Sequence, residues 1–178
     1  MEQKNLASLY SNSFQANWEL PLFSDFDGDT FYYKDVAQSI HTICIIFEKI
    51  GIKKGDKIAI YGRNSSNWGK VFLSCISYGA IAVPILPDFK PENLHHIINH
   101  SESIFLFAAK SLYETLNQSE MAGIKGVIAI EDFSVLFFRD ENLKTLTAEG
   151  LEIMRHSNVK REDFSFTITS EECTQVLS

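Results

Sequence analysis

Between Asp35 and Ile130 the hydrophobic period of the chain switches repeatedly between the step of a helix and the unbroken run of a strand. Val36, Ile40, Ile43, Phe47 and Ile50 fall at steps of four, three, four and three, one face of an amphipathic helix that Gly51 closes. Gly55-Asp56 is a turn, and Lys57 to Tyr61 a short apolar strand. Gly62-Arg63-Asn64-Ser65-Ser66 breaks that strand, and Asn64, Ser65 or Ser66 can cap the next helix. Trp68, Val71, Phe72, Cys75 and Ile76 give this helix its buried face, and Gly79 ends it. Ala80 to Leu86 is again a strand, and Pro84 within it predicts an edge position or the strand's end. Pro91 opens a helix with Leu94, Ile97 and Ile98 on its core face. Ile104 to Ala108 is a strand, Ser111 to Asn117 a short helix and Gly126 to Ile130 a further strand. Short apolar strands alternating with longer helices form βαβ units. They predict an α/β fold with a mostly parallel sheet covered by helices on both faces.

The ends are less regular. Residues 1–17 are polar and predict a loose arm or a short helix. Apolar residues flank Asp27-Gly28-Asp29 on both sides, which predicts a β-hairpin within Trp18 to Tyr33. Residues 131–165 are irregular, with one helix expected near Thr147 to His156, and the last residues before Ser178 look like the beginning of a strand. The expected organisation is an arm and hairpin over 1–34, an α/β core over 35–130 and a less regular segment over 131–178, together one truncated domain.

The formal net charge of −7 argues against a nucleic-acid partner, because phosphate binding is driven by clustered Lys and Arg. No run of 18 apolar residues marks a transmembrane helix, and the polar Met1-Glu-Gln-Lys-Asn is followed by no apolar signal region. Cys44, Cys75 and Cys173 are odd in number and far apart, as expected of reduced thiols in a cytoplasmic protein. The 14 phenylalanines need a core or a partner that covers them.

Local motifs for chemistry are weak. Neither a phosphate-binding G-x-x-x-x-G-K-[ST], a G-x-G-x-x-G fingerprint nor a G-x-S-x-G elbow is present. Glu92, His96 and His100 recur every four residues beside His95 and can hold a metal. With no second cluster to complete the site, a polar helix face is expected instead. Asp25, Asp27 and Asp29 suggest a calcium loop, but Thr30 and Val36 stand where an EF-hand needs Gly and Glu, so a hairpin turn is expected. The turn at Gly62–Ser66 leads into a helix N-terminus. It is read as a capped turn, with anion binding assisted by Arg63 as the alternative. Cys44 and Cys75 sit on apolar helix faces, where a thiol is inert.

Taken together, Phe31 to Ala37, Ile50 to Ile60, Gly62-Arg-Asn-Ser-Ser-Asn-Trp68, Tyr78-Gly-Ala-Ile-Ala-Val-Pro84 and Pro91 to Glu102 resemble the N-terminal part of the AMP-forming acyl-CoA synthetases, an adenylate-forming family. The Asn64-Ser-x-x-Trp68 segment and Pro84-Ile-Leu-Pro87 look most like long-chain fatty acid–CoA ligases. The resemblance implies a two-step reaction in the intact enzyme, with ATP, Mg²⁺ and coenzyme A. A carboxylate attacks the α-phosphate of ATP, giving an acyl-adenylate, and the coenzyme A thiol then displaces AMP. It also implies a Ser/Thr/Gly-rich phosphate loop with a Lys, an acidic motif and a Lys in a mobile C-terminal domain. None of these occurs in the sequence, so no catalytic, cofactor-binding or metal-binding residue is assigned to this chain. Glu171 to Ser178 resembles the segment that introduces the phosphate loop, so a cut just ahead of that loop is expected. The expected role is a scaffold, inactive alone, whose main partner is the remainder of the polypeptide. Homodimerisation through uncovered apolar surface is expected, while peripheral membrane contact is left open. The alternative is a non-catalytic α/β interaction module. A Rossmann-type nucleotide domain is disfavoured by the missing glycine fingerprint.

Overall fold

The computed structural model describes residues 6–156 and 158–166. A short helix, α1 (Leu6–Ala16), leads into an antiparallel hairpin of β1 (Pro21–Ser24) and β2 (Thr30–Tyr32). Next come α2 (Tyr33–Lys49), β3 (Lys57–Tyr61), α3 (Ser66–Tyr78), β4 (Ile81–Ile85), α4 (Pro91–Ser101), β5 (Phe105–Ala108), the single turn α5 (Lys110–Tyr113), β6 (Gly126–Ala129), β7 (Val135–Phe138) and α6 (Glu141–His156). The main sheet has the order β4-β3-β5-β6-β7. The first three pairings are parallel and β6–β7 is antiparallel. The mostly parallel α/β sheet and the preceding hairpin are thus as the sequence predicts.

The pleat of the strands sorts the core into two layers. Ile58, Ile60, Phe105, Phe107 and Ile128 face α2 and α3, meeting Ile43, Phe47, Val71 and Cys75. Ala59, Tyr61, Leu106, Ala108 and Val127 face the other way, onto Leu94 and Ile98 of α4. Every one of these side chains is at most 2% exposed, and burying each large one stabilises the fold by about 1.5–3 kcal/mol. β4 is an edge strand, as Pro84 requires.

A third cluster joins the two ends of the described chain. Phe14 of α1 and Val36 and Ile40 of α2 pack with Phe164 and Phe166. The Gln15 amide donates to the Phe164 carbonyl (2.9 Å), and the Phe166 N–H donates to Ser11 Oγ (2.9 Å).

Three elements differ from the sequence reading, the first being α5, a single turn over Lys110–Tyr113 where a helix over Ser111 to Asn117 is expected. β7 was not expected, because its turn carries no glycine. Phe133 takes the left-handed conformation (φ 57°), held by its N–H to the Ala129 carbonyl and by an Asx turn in which Asp132 Oδ1 accepts from Ser134 N. α6 begins at Glu141, six residues before Thr147. The strand expected near Ser178 lies outside the described residues. Among the described residues no helix is long and apolar enough to cross a membrane.

Candidate functional site

The strand order fixes where a cleft can open. From β3 the chain runs through α3 to β4 on one side, while β5 leads through α5 to β6 on the other. The connections therefore diverge between the C-terminal ends of β3 and β5. This is the topological switch point at which open α/β sheets bind ligands. A cleft of about 590 Å³ lies there, lined by Gly62, Arg63, Ser65 and Asn67 after β3, Ala109, Ser111 and Leu112 after β5, Ile130 and Glu131 after β6, and Asp25 from the hairpin.

Each wall has a local cause. A Cβ on Gly62 would come within 2.7 Å of Ile130 Cδ1, so a larger residue there would have to displace the Ile130 side chain at the end of β6. Of the three candidate caps, Ser65 is the N-cap of α3, its Oγ accepting from Trp68 N (3.1 Å). Asp25 Oδ1 accepts from Ser66 N (2.8 Å), so the hairpin supplies a second cap to the same helix. Glu131 does likewise for α5, taking the Lys110 N–H on both carboxylate oxygens (2.9 and 3.2 Å). The Asn67 amide donates to the Ile130 and Glu131 carbonyls (3.0 and 2.9 Å), tying α3 to the end of β6.

The contacts at Gly62–Ser66 are those of a capped turn. Two N–H donors at the start of α3 already serve Asp25 and Ser65, and the exposed Arg63 guanidinium lies 3.8 Å from the equally exposed Asp88. The cleft offers two carboxylates, one guanidinium, one side-chain amide and two hydroxyls, which suits a polar ligand better than a polyphosphate.

The other candidates stay apart. Asp25, Asp27 and Asp29 form a hairpin turn, with Gly28 N donating to the Asp25 carbonyl and Asp25 N to the Asp29 carbonyl (3.1 Å each). His96 and His100 stack with ring centroids 5.8 Å apart on an exposed helix face, and His95 Nε2 accepts from Asn117 N (3.3 Å). No group of three or more metal-ligating side chains occurs among the described residues. Burial pushes the Cys44 thiol up to about 12 and raises Cys75 further. The Asp25–Ser66 and Asn67–Glu131 contacts were not read from the sequence, since their partners are 41 and 64 residues apart.

A sequence profile described as "AMP-binding enzyme" matches residues 13–168. The chain belongs to the AMP-binding enzyme family. It is similar to long chain acyl-CoA synthetase 3 of Arabidopsis thaliana, 32% identical over 79 residues covering 44% of the chain and 12% of the plant protein. Crotonobetaine/carnitine–CoA ligase of Proteus mirabilis is likewise 32% identical, over 76 residues that cover 43% of the chain and 15% of the ligase. Among solved structures, a long-chain-fatty-acid-CoA ligase from Archaeoglobus fulgidus superposes with a TM-score of 0.66 at 20% identity, covering 89% of the chain and 32% of that protein. That likeness confirms the fold of an AMP-binding enzyme. The chain therefore spans about a tenth to a third of the length of these relatives.

Proposed function

We propose that this chain contributes to an ATP-dependent, AMP-forming ligation of a fatty acid to coenzyme A. The observation that carries the reading is the family match across residues 13–168. The plant synthetase and the archaeal ligase, both named for long-chain substrates, support the fatty-acid assignment. In such a reaction a carboxylate oxygen attacks the α-phosphorus of ATP and the bond to pyrophosphate breaks. The coenzyme A sulfur then attacks the acyl carbon and the bond to AMP breaks. The first step demands neutralisation of charge on the transferring phosphoryl group by Mg²⁺, Lys and hydrogen-bond donors.

The residues of the switch-point cleft do not fit that demand. Its helix N-termini are capped by carboxylates, and its one guanidinium, Arg63, is exposed beside Asp88. No step of the phosphoryl transfer is therefore assigned to a residue of this chain. Its part in the reading is architectural: the sheet and the helices packed on it hold the loops at the C-terminal strand ends in fixed register for groups supplied elsewhere.

The test is fatty-acid-dependent ATP–pyrophosphate exchange. It compares the 178-residue chain with a polypeptide that also carries the remaining length found in the relatives. The longer polypeptide is expected to catalyse exchange with a long-chain fatty acid and far less with acetate or crotonobetaine, while the chain alone does not. Exchange by the chain alone would overturn the architectural role. A preference for the short or cationic acids would overturn the fatty-acid assignment.

A further inference from the structure

Lys70 lies on α3 behind the cleft and is only 5% exposed, although it carries an ammonium group. Its Nζ donates to Asn67 Oδ1 (3.0 Å) and sits 3.3 Å from the centre of the Phe31 ring on the hairpin. Asp25, Asp29 and Asp35 act on it only through their fields, and burial holds its pKa below the usual lysine value. Among the described residues no carboxylate pairs with it directly, and a buried ammonium left so is costly. What it does to its neighbour is specific.

The amide of Asn67 has two ends of nearly the same shape. In the observed orientation its oxygen meets the ammonium and its NH₂ bridges the Ile130 and Glu131 carbonyls. The reverse orientation would set NH₂ against an ammonium, which has donors and no acceptor, and oxygen against two carbonyls. Lys70 and the two carbonyls together leave Asn67 one orientation, the one that grips the turn after β6. The grip continues, because the Glu131 carboxylate holds the first N–H of α5. Contacts run without a break from Phe31 through Lys70, Asn67 and Glu131 to Lys110.

We propose that Lys70 is a positioning residue for the switch-point cleft: its ammonium locks the Asn67 amide and thereby holds the Glu131 wall at a fixed distance from Gly62. Lys70 is not among the residues that line the cleft and acts through Asn67. The proposal concerns the shape of the cleft and stands whatever ligand the cleft takes, so it does not depend on the ligase reading.

Hydrogen exchange on the ¹⁵N-labelled 178-residue chain tests it. In Lys70→Met the Asn67 side-chain amide and the Lys110 backbone amide are expected to exchange about tenfold faster or more, with amides of β3 and β5 unchanged. Lys70→Arg, which restores a cationic donor, is expected to return both toward wild-type rates. Unchanged Asn67 exchange in Lys70→Met overturns the proposal. So does an acceleration shared equally by β3 and β5, which would show that Lys70 only stabilises the fold. If Lys70→Met does not fold, Asn67→Asp replaces it, keeping an acceptor for the ammonium while losing both amide donors. Faster exchange at Lys110 then supports the clamp, and unchanged exchange there overturns it.

Discussion

Ser66 is the first residue of α3 and is 4% exposed, yet its Oγ has no hydrogen-bond partner among the described residues. A buried hydroxyl left unpaired costs about 1–3 kcal/mol, and its backbone N–H already serves Asp25. Ser66→Ala is therefore expected to leave stability unchanged or to raise it by up to about 1 kcal/mol in urea denaturation. A loss larger than about 1 kcal/mol would mean that the hydroxyl is satisfied. Gly126 presents the opposite case. A Cβ there would overlap the rings of both Phe138 and Phe105, so Gly126→Ala forces the β5–β6–β7 packing apart, at about 1–3 kcal/mol. The half-buried Cys44 thiol and the buried Cys75 thiol are a third case, because only thiolate reacts with alkylating agents. With Cys44 pushed up to about 12 and Cys75 raised further, neither should be carboxamidomethylated by iodoacetamide at neutral pH while the chain is folded. Both should react in denaturant, and peptide mapping before and after unfolding distinguishes the outcomes.

At the scale of elements, the turn between β6 and β7 is held by charge. Lys110 Nζ lies 2.6 Å from Asp132 Oδ2, and the Ser134 hydroxyl and N–H donate to Asp132 Oδ1. The Lys110 contact, followed by the Ser134 donors, lowers the Asp132 carboxyl from 3.8 to about 2. A carboxyl depressed on folding contributes stability that is fully present above its unfolded value and is lost as pH falls through the folded one. The turn should accordingly loosen between about pH 4 and pH 2. Carboxyl NMR should place the Asp132 midpoint near 2, and Lys110→Met should move it back toward 3.8. A wild-type midpoint near 3.8 would sink this account. The same turn marks where the sequence stopped being legible. β3, β4, α4 and β6 were readable because glycine, proline and period change sit at their boundaries. β7 was not, because its left-handed residue is Phe133, held there by its neighbours' hydrogen bonds and not by any local preference. Of the site, Gly62 and the Ser65 cap were legible. Asp25, Asn67 and Glu131 were not, since each acts on a partner far away in sequence.

For the whole molecule, the question is whether the third cluster belongs to the same cooperative unit as the sheet. The two layers share every strand, so disturbing either disturbs both. The third cluster meets that core along α2 and one face of α3, through Leu73 and Ile76, and it is closed by Phe164 and Phe166, far along the chain from the Phe14 they meet. Phe164 is 4% exposed, and its ring centre lies 5.1 Å from that of Phe14 and 6.1 Å from that of Trp18. Truncating a buried phenylalanine costs about 3–5 kcal/mol where the fold cannot collapse around the gap. Here the gap opens at the border of the core, and the cheaper response is for α1 to leave its place. Phe164→Ala is therefore expected to speed exchange of the α1 amides strongly while the protection of β3, β5 and β6 falls little. Sheet and α1 amides losing protection by equal factors would show instead that the chain folds as one unit. The ends would then carry as much of its stability as the strands do.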